Sequence, residues 1–153
     1  MSWRFFVQRL ADALNIRDTT LTVISDRCKG IDNAVSEFLP RAAHSYCAFH
    51  IRQNLEQYGS RAADYVWKIA KASSKQEYKQ AMAALLNISP QAHAHLKRIG
   101  KKNWVRAFFP LPRYGHVTSN IAESTNSALR ECRKCPPTKL FILAIRSINA
   151  KFA

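Results

Sequence analysis

Apolar residues at Trp3, Phe6, Val7, Leu10 and Leu14 recur at steps of three and four, which places them on one stripe of a helix. Asp18 and Thr19 break the pattern. The next segment, Leu21-Thr22-Val23-Ile24, is short, β-branched and apolar on both faces, and so predicts a buried strand ending at Ser25-Asp26. Gly30 opens a second helical stretch through Ile31, Ala34, Val35, Phe38 and Leu39, which Pro40 stops. Ala43 to Phe49 then reads as a second strand, because a strand, a helix and a strand within about thirty residues suit a parallel crossover.

After His50 the texture changes to Ala, Gln, Lys and Leu. Stripes at Ala62, Val66, Ile69 and Ala70, and at Tyr78, Ala81, Met82, Leu85 and Leu86, keep a helical period. Ser89-Pro90 predicts another helix start, with proline in the first turn. Lys101 to Tyr114 is irregular, basic and aromatic. Ile121, Thr125, Ala128 and Cys132 form a further stripe, Pro136-Pro137 interrupts the chain, and Phe141, Ala144, Ile145 and Ile148 form the last. No internal repeat is present. Two strands are too few for a sheet of ordinary size. The expectation is that further strands belong to sequence outside this chain; the other reading is a helical fold with a marginal strand pair.

Composition narrows the partners. Of 153 residues, 24 are Lys or Arg and 10 are Asp or Glu, a formal net charge of +14 that points to a polyanion. Four glycines and six prolines do not make a low-complexity tail, and no run approaches the roughly 18 apolar residues that span a bilayer. The first residues carry Arg4 and Gln8 where a signal peptide needs an apolar centre, so a reducing compartment is expected and the four cysteines are expected as thiols or metal ligands.

Asp26 directly follows the first strand, where parallel α/β folds place ligand-contacting groups; a turn or helix N-cap aspartate is the structural alternative. Glu123, three residues after Asn120, has a capping-box alternative of its own. Their context is more specific. Ile24-Ser25-Asp26-Arg27-Cys28-Lys29-Gly30, Tyr46-Cys47-Ala48-Phe49-His50-Ile51, Trp104-Val105-Arg106-Ala107-Phe108-Phe109 and Gly115 to Ser127 together resemble, in order, the transposase domain of Mutator-like elements.

The resemblance implies an α/β, strongly helix-rich fold: a partial ribonuclease-H-like core at 1–50, a helical insertion at 51–117, and C-terminal helices at 118–153 carrying Glu123. It implies an Asp, Asp and Glu set of catalytic carboxylates, of which Asp26 matches the second Asp and Glu123 the Glu. Such sites hold two Mg²⁺ (or Mn²⁺) ions about 3.5 to 4 Å apart, and carboxylates are the hard oxygen ligands that ion takes. Asp12 and Asp18 sit in helix and turn context and match no part of the set. The chain is therefore expected to be the C-terminal part of a DNA transposase catalytic domain, inactive alone, with DNA binding retained. A transposase-derived, non-enzymatic DNA-binding or regulatory protein is the alternative.

Cys47 and His50 match the family's Cys-x-x-His and are expected to support the catalytic pocket. Cys132 and Cys135 could complete four zinc ligands, but their long separation from the first pair is not a standard arrangement and zinc is not expected. His44, His93 and His95 are expected at the surface. Lys101, Lys102, Trp104 and Arg106 are the expected DNA contacts, basic groups holding phosphates and the indole stacking on a base, with core packing as the alternative for Trp104. Phe108 and Phe109 are expected in the core. The expected partners are DNA and the upstream part of the catalytic domain, with homo-oligomerisation left open, no membrane, and a nuclear location.

Overall fold

A computed structural model describes residues 2–130 and 132–152, and of residues 121, 147, 148, 151 and 152 the backbone alone, so the side chains of Ile121 and Ile148 in the expected stripes lie outside it. The chain divides into two compact units, Met1–Thr118 and Ser119–Ala153.

The first unit opens with α1 (Trp3–Ala13), whose N-cap Ser2 accepts the Phe5 N–H at 3.3 Å. There follow β1 (Thr22–Ser25), α2 (Lys29–Phe38) and β2 (Ala43–Tyr46). The strands pair in parallel, Thr22 opposite Ala43 and Ser25 opposite Tyr46, with α2 as the crossover that the pattern predicts. Three local expectations change. With a single neighbouring strand, every β1 residue is half-buried rather than buried. The second strand is shorter, because Ala48 and Phe49 already belong to α3 (Ala48–Leu55). A run such as Tyr46-Cys47-Ala48-Phe49 fits either period; Ala48, Ile51 and Leu55, all fully buried, impose the helical one.

The third change is in α1. Of its expected stripe, Val7 alone is buried, joined by Ala11, while Trp3, Phe6, Leu10 and Leu14 stay exposed. Val7 and Ala11 meet Ile31, Ala34, Val35 and Leu39 in a small core between α1 and α2. The approach is close at the start of α2: a Cβ on Gly30 would lie 2.9 Å from Trp3 Cδ1.

A larger core is built by α3 together with α4 (Ser60–Lys71), α5 (Lys75–Ile88) and α6 (Pro90–Ile99), through Ile51, Leu55, Val66, Ile69, Leu85 and Leu96. Ser74 Oγ accepts the Glu77 N–H at 3.1 Å and Ser89 Oγ the Ala92 N–H at 3.2 Å, with Pro90 in the first turn as expected. Caps of this kind contribute about 1 kcal/mol each.

The basic segment after Gly100 is irregular apart from a 3₁₀ turn at Arg106–Phe108. It is nevertheless sewn to the sheet. The Tyr46 N–H donates to the Asn103 carbonyl at 2.7 Å, the Ala48 N–H to the Val117 carbonyl at 2.8 Å, and Thr22 Oγ1 to the Pro112 carbonyl at 3.0 Å. Trp104 and Val105 enter the larger core.

The second unit comprises α7 (Asn120–Ala128), a 3₁₀ turn at Cys132–Lys134 that rests against the last helix, and α8 (Pro137–Phe152). Arg133 Nη2 donates to the Asn126 carbonyl at 3.3 Å, holding the turn to α7. Cys132 thus falls beyond the helix on which the stripe placed it. No helix among the described residues is long and apolar enough to cross a membrane.

Candidate active site and nucleic-acid interface

Asp26 is exposed at the carboxyl end of β1, and its Oδ1 accepts the Cys28 N–H at 3.2 Å. That bond closes a short turn before α2, whose N-cap is Cys28, so the structure takes the turn alternative and not the N-cap one. Cys47 is 1% exposed, caps α3, and donates its N–H to the Ser25 carbonyl at 2.7 Å. It therefore fastens the strand end from which Asp26 projects. His50 lies in the first turn of α3, half-buried, its ring edge-on to Phe49 with centroids 5.8 Å apart.

A second support for that strand end was not legible in the sequence. His44 is not a surface residue: its side chain is 11% exposed, and it bridges α2 and β1. Nδ1 lies 2.8 Å from Asp32 Oδ1, Nε2 lies 2.7 Å from Ser25 Oγ, and that hydroxyl lies 2.7 Å from the Asp26 carbonyl. A carboxylate only accepts, so Nδ1 carries a proton. In the neutral ring Nε2 accepts as well, and one hydroxyl proton must serve Nε2 or the Asp26 carbonyl. A protonated ring donates at both ends and releases the hydroxyl to Asp26. Burial, the largest influence, lowers the His44 pKa, against the opposing pull of Asp32 and then Asp26. The order Asp32, His44, Ser25 is that of a nucleophilic triad. Because the hydroxyl is shared with Asp26, its structural effect here is to fix the backbone of Asp26. His93 and His95 are also half-buried, His95 with its ring 5.8 Å from Tyr58.

Glu123 is exposed in the first turns of α7. Ser119, not Asn120, is the N-cap, and Ser119 Oγ donates to Glu123 Oε1 at 2.9 Å, so the Asn120 capping box does not form. Among the described residues no group of three or more His, Cys, Asp or Glu side chains could hold a metal ion. Asp26 and Glu123 belong to different units, so each unit by itself supplies one of the expected carboxylates.

The basic segment separates into exposed charges and a buried frame. Lys101, Lys102 and Arg106 are exposed, the Lys101 ammonium lying 4.4 Å from the centroid of the Phe108 ring. Phe108 and Phe109 are half-buried, Phe108 against the larger core. Trp104 is 1% exposed, so its indole packs and offers no face to a base. Arg113 is buried as well. Its Nη1 donates to Ser45 Oγ at 3.1 Å and to the Trp104 carbonyl at 2.9 Å, and its guanidinium lies 5.1 Å from the Phe109 ring centroid. Burial first, then the neighbouring Arg106, lower its pKa.

The family model of the MULE transposase domain matches residues 1–54. Over that segment the resemblance to Mutator-like transposases holds. The matched residues contain β1, α2, β2 and the first two motif blocks, with Asp26, Cys47 and His50. A curated relative, the PKS-NRPS hybrid synthetase cheA of Chaetomium globosum, is 26% identical over 91 residues, 60% of this chain and 2% of that protein. The chain spans so little of that relative's length that the likeness carries no argument about function.

Proposed function

We propose that this chain is part of the catalytic domain of a DDE-type DNA transposase with a partial ribonuclease-H-like fold, Asp26 and Glu123 being two of its three carboxylates. The observation that carries the reading is the MULE-matched β1–α2–β2 unit with Asp26 exposed at the carboxyl end of its first strand. That is where open parallel sheets bind their ligands. In this role the Asp26 carboxylate faces the substrate phosphate. Cys47 and the Ser25–His44–Asp32 relay are positioning residues that hold its backbone. Lys101, Lys102 and Arg106 hold the DNA by its phosphates, which makes binding salt-dependent and weakly sequence-selective. Asp26 and Glu123 would be the residues that hold divalent cations in the transposase, and such ions would supply activation of the attacking oxygen.

The test pairs two proteins. The purified chain with Mg²⁺ or Mn²⁺ is expected to bind duplex DNA without nicking it. In a transposase protein that includes this chain, Asp26→Asn and Glu123→Gln are each expected to abolish cleavage while DNA affinity stays within 3-fold. Nicking by the chain alone that disappears in Asp26→Ala would show a complete active site. Intact cleavage in either single variant removes that residue from the set. No cleavage from the parent protein under any metal leaves the DNA-binding regulator as the function.

A further inference from the structure

Among the depressions in the first unit, one of about 450 Å³ is lined by Lys71, Arg106, Arg113 and His116, with Tyr114 and Gly115 at its wall. Among the described residues no carboxylate lines it. Two observations mark it as more than a solvated basic face. Arg113 is 8% exposed, and its Nη2 is buried without a hydrogen-bond partner among the described residues, an arrangement that costs free energy while no acceptor is supplied. Tyr114 is 88% exposed beside these cations, on a backbone at φ 47°. A large aromatic ring held open next to converging positive charges suits a group that is anionic at one end and flat at the other.

We infer that this depression binds one nucleotide unit of a single-stranded or distorted DNA strand, its backbone phosphate held by Lys71, Arg106 and Arg113 and its base stacked on Tyr114. The inference rests on the DNA-binding part of the proposed function and assigns it a place. It also moves the stacking role expected of Trp104 to a ring that is accessible. Phosphate charge relieves the repulsion between Arg106 and Arg113, and Lys71, at the end of α4, adds a flexible third cation. Stacking on Tyr114 favours strands whose bases are unpaired.

The test uses the whole chain with three probes: inorganic phosphate, a single-stranded oligonucleotide, and a duplex of the same length. Arg113 also frames the fold, so the informative variants are at exposed positions: Tyr114→Ala, Lys71→Gln with Arg106→Gln, and Arg41→Gln with Arg61→Gln as an equal loss of charge elsewhere. Stacking on one base corresponds to roughly 5-fold to over 100-fold in affinity. Tyr114→Ala is therefore expected to weaken single-strand binding at least 5-fold and duplex binding less than 2-fold. On the single strand the Lys71/Arg106 pair is expected to reduce the log–log salt slope by about 0.7 per phosphate lost, with the Arg41/Arg61 pair having less effect. Inorganic phosphate should shift the His116 ring resonances saturably and compete with the single strand. Equal slopes for the two charge pairs, or an unchanged single-strand affinity in Tyr114→Ala, would overturn the site while leaving general DNA binding standing. Saturable phosphate binding without any oligonucleotide binding would overturn the nucleic-acid occupant and the DNA-binding reading together.

Discussion

Replacing Trp104 by alanine separates a core residue from a DNA contact. The indole is 1% exposed and sits with Val105 among Val66, Ile69, Leu85 and Leu96. A buried Trp withdraws roughly 150–250 Å² from water. At about 25 cal/mol per Å² that is roughly 4–6 kcal/mol as an upper bound. Against it stands the buried Nε1, which has no acceptor among the described residues and forfeits about 1–3 kcal/mol. The expected cost of Trp104→Ala is therefore about 3 kcal/mol, within the usual range for such truncations and a large fraction of a domain's total stability. Trp104→Phe keeps an aromatic ring and deletes the unpartnered N–H, so its cost should stay below about 1.5 kcal/mol. Urea unfolding followed by far-ultraviolet circular dichroism measures both, and single-strand and duplex affinities are read on protein that remains folded. A loss below about 1 kcal/mol in Trp104→Ala, combined with a selective fall in single-strand affinity, would refute the packing argument and return the indole to the DNA surface.

Arg113→Met strands two buried acceptors, Ser45 Oγ and the Trp104 carbonyl, and should cost about 2–4 kcal/mol; adding Ser45→Ala should recover part of it, and strict additivity in that double-mutant cycle would show that the hydrogen bond is not coupled. His44 has a lowered folded pKa, so the unfolded chain binds its proton more readily; its contribution to stability is complete above its unfolded pKa near 6.5 and is lost as pH falls from there through the folded value. Asp32→Asn removes the main group opposing that shift and should lower the His44 pKa further, seen by NMR titration of the ring; an upward move would contradict the relay. Ser25→Ala should change the Asp26 amide shift and leave the helix content unaltered, whereas an unmoved Asp26 resonance would mean that the hydroxyl does not position it.

Most of the helices, the parallel strand pair and the strand-end place of Asp26 were legible in the sequence, because each rests on local periodicity or on a motif within a few residues; α3 was not. Val66, Ile69 and Ala70 must share a helical face whatever they meet, and Pro90 and Ser89 mark a helix start by their own chemistry. What the tertiary structure decided is which stripe finds a partner. The α1 stripe is as regular as that of α4, yet Trp3, Phe6 and Leu10 stay exposed because α2 buries only Val7 and Ala11 of that face, even though Trp3 touches it at Gly30. Ala48 and Phe49 fit strand and helix equally until the buried Ile51 and Leu55 select the helix. The same limit governed the polar groups. Asp32, His44 and Ser25 carry no shared spacing, and only the pairing of β1 with β2 under α2 brings them within 3 Å of one another in sequence along the relay. The sequence reading chose Trp104 for stacking, and nothing in its spacing or composition pointed instead to Tyr114, ten residues on in the same basic aromatic segment. The bonds that fasten this segment to the sheet turn one ring into the core and leave the other in solvent, and burial, a property of the whole chain's packing, is what composition and spacing cannot encode.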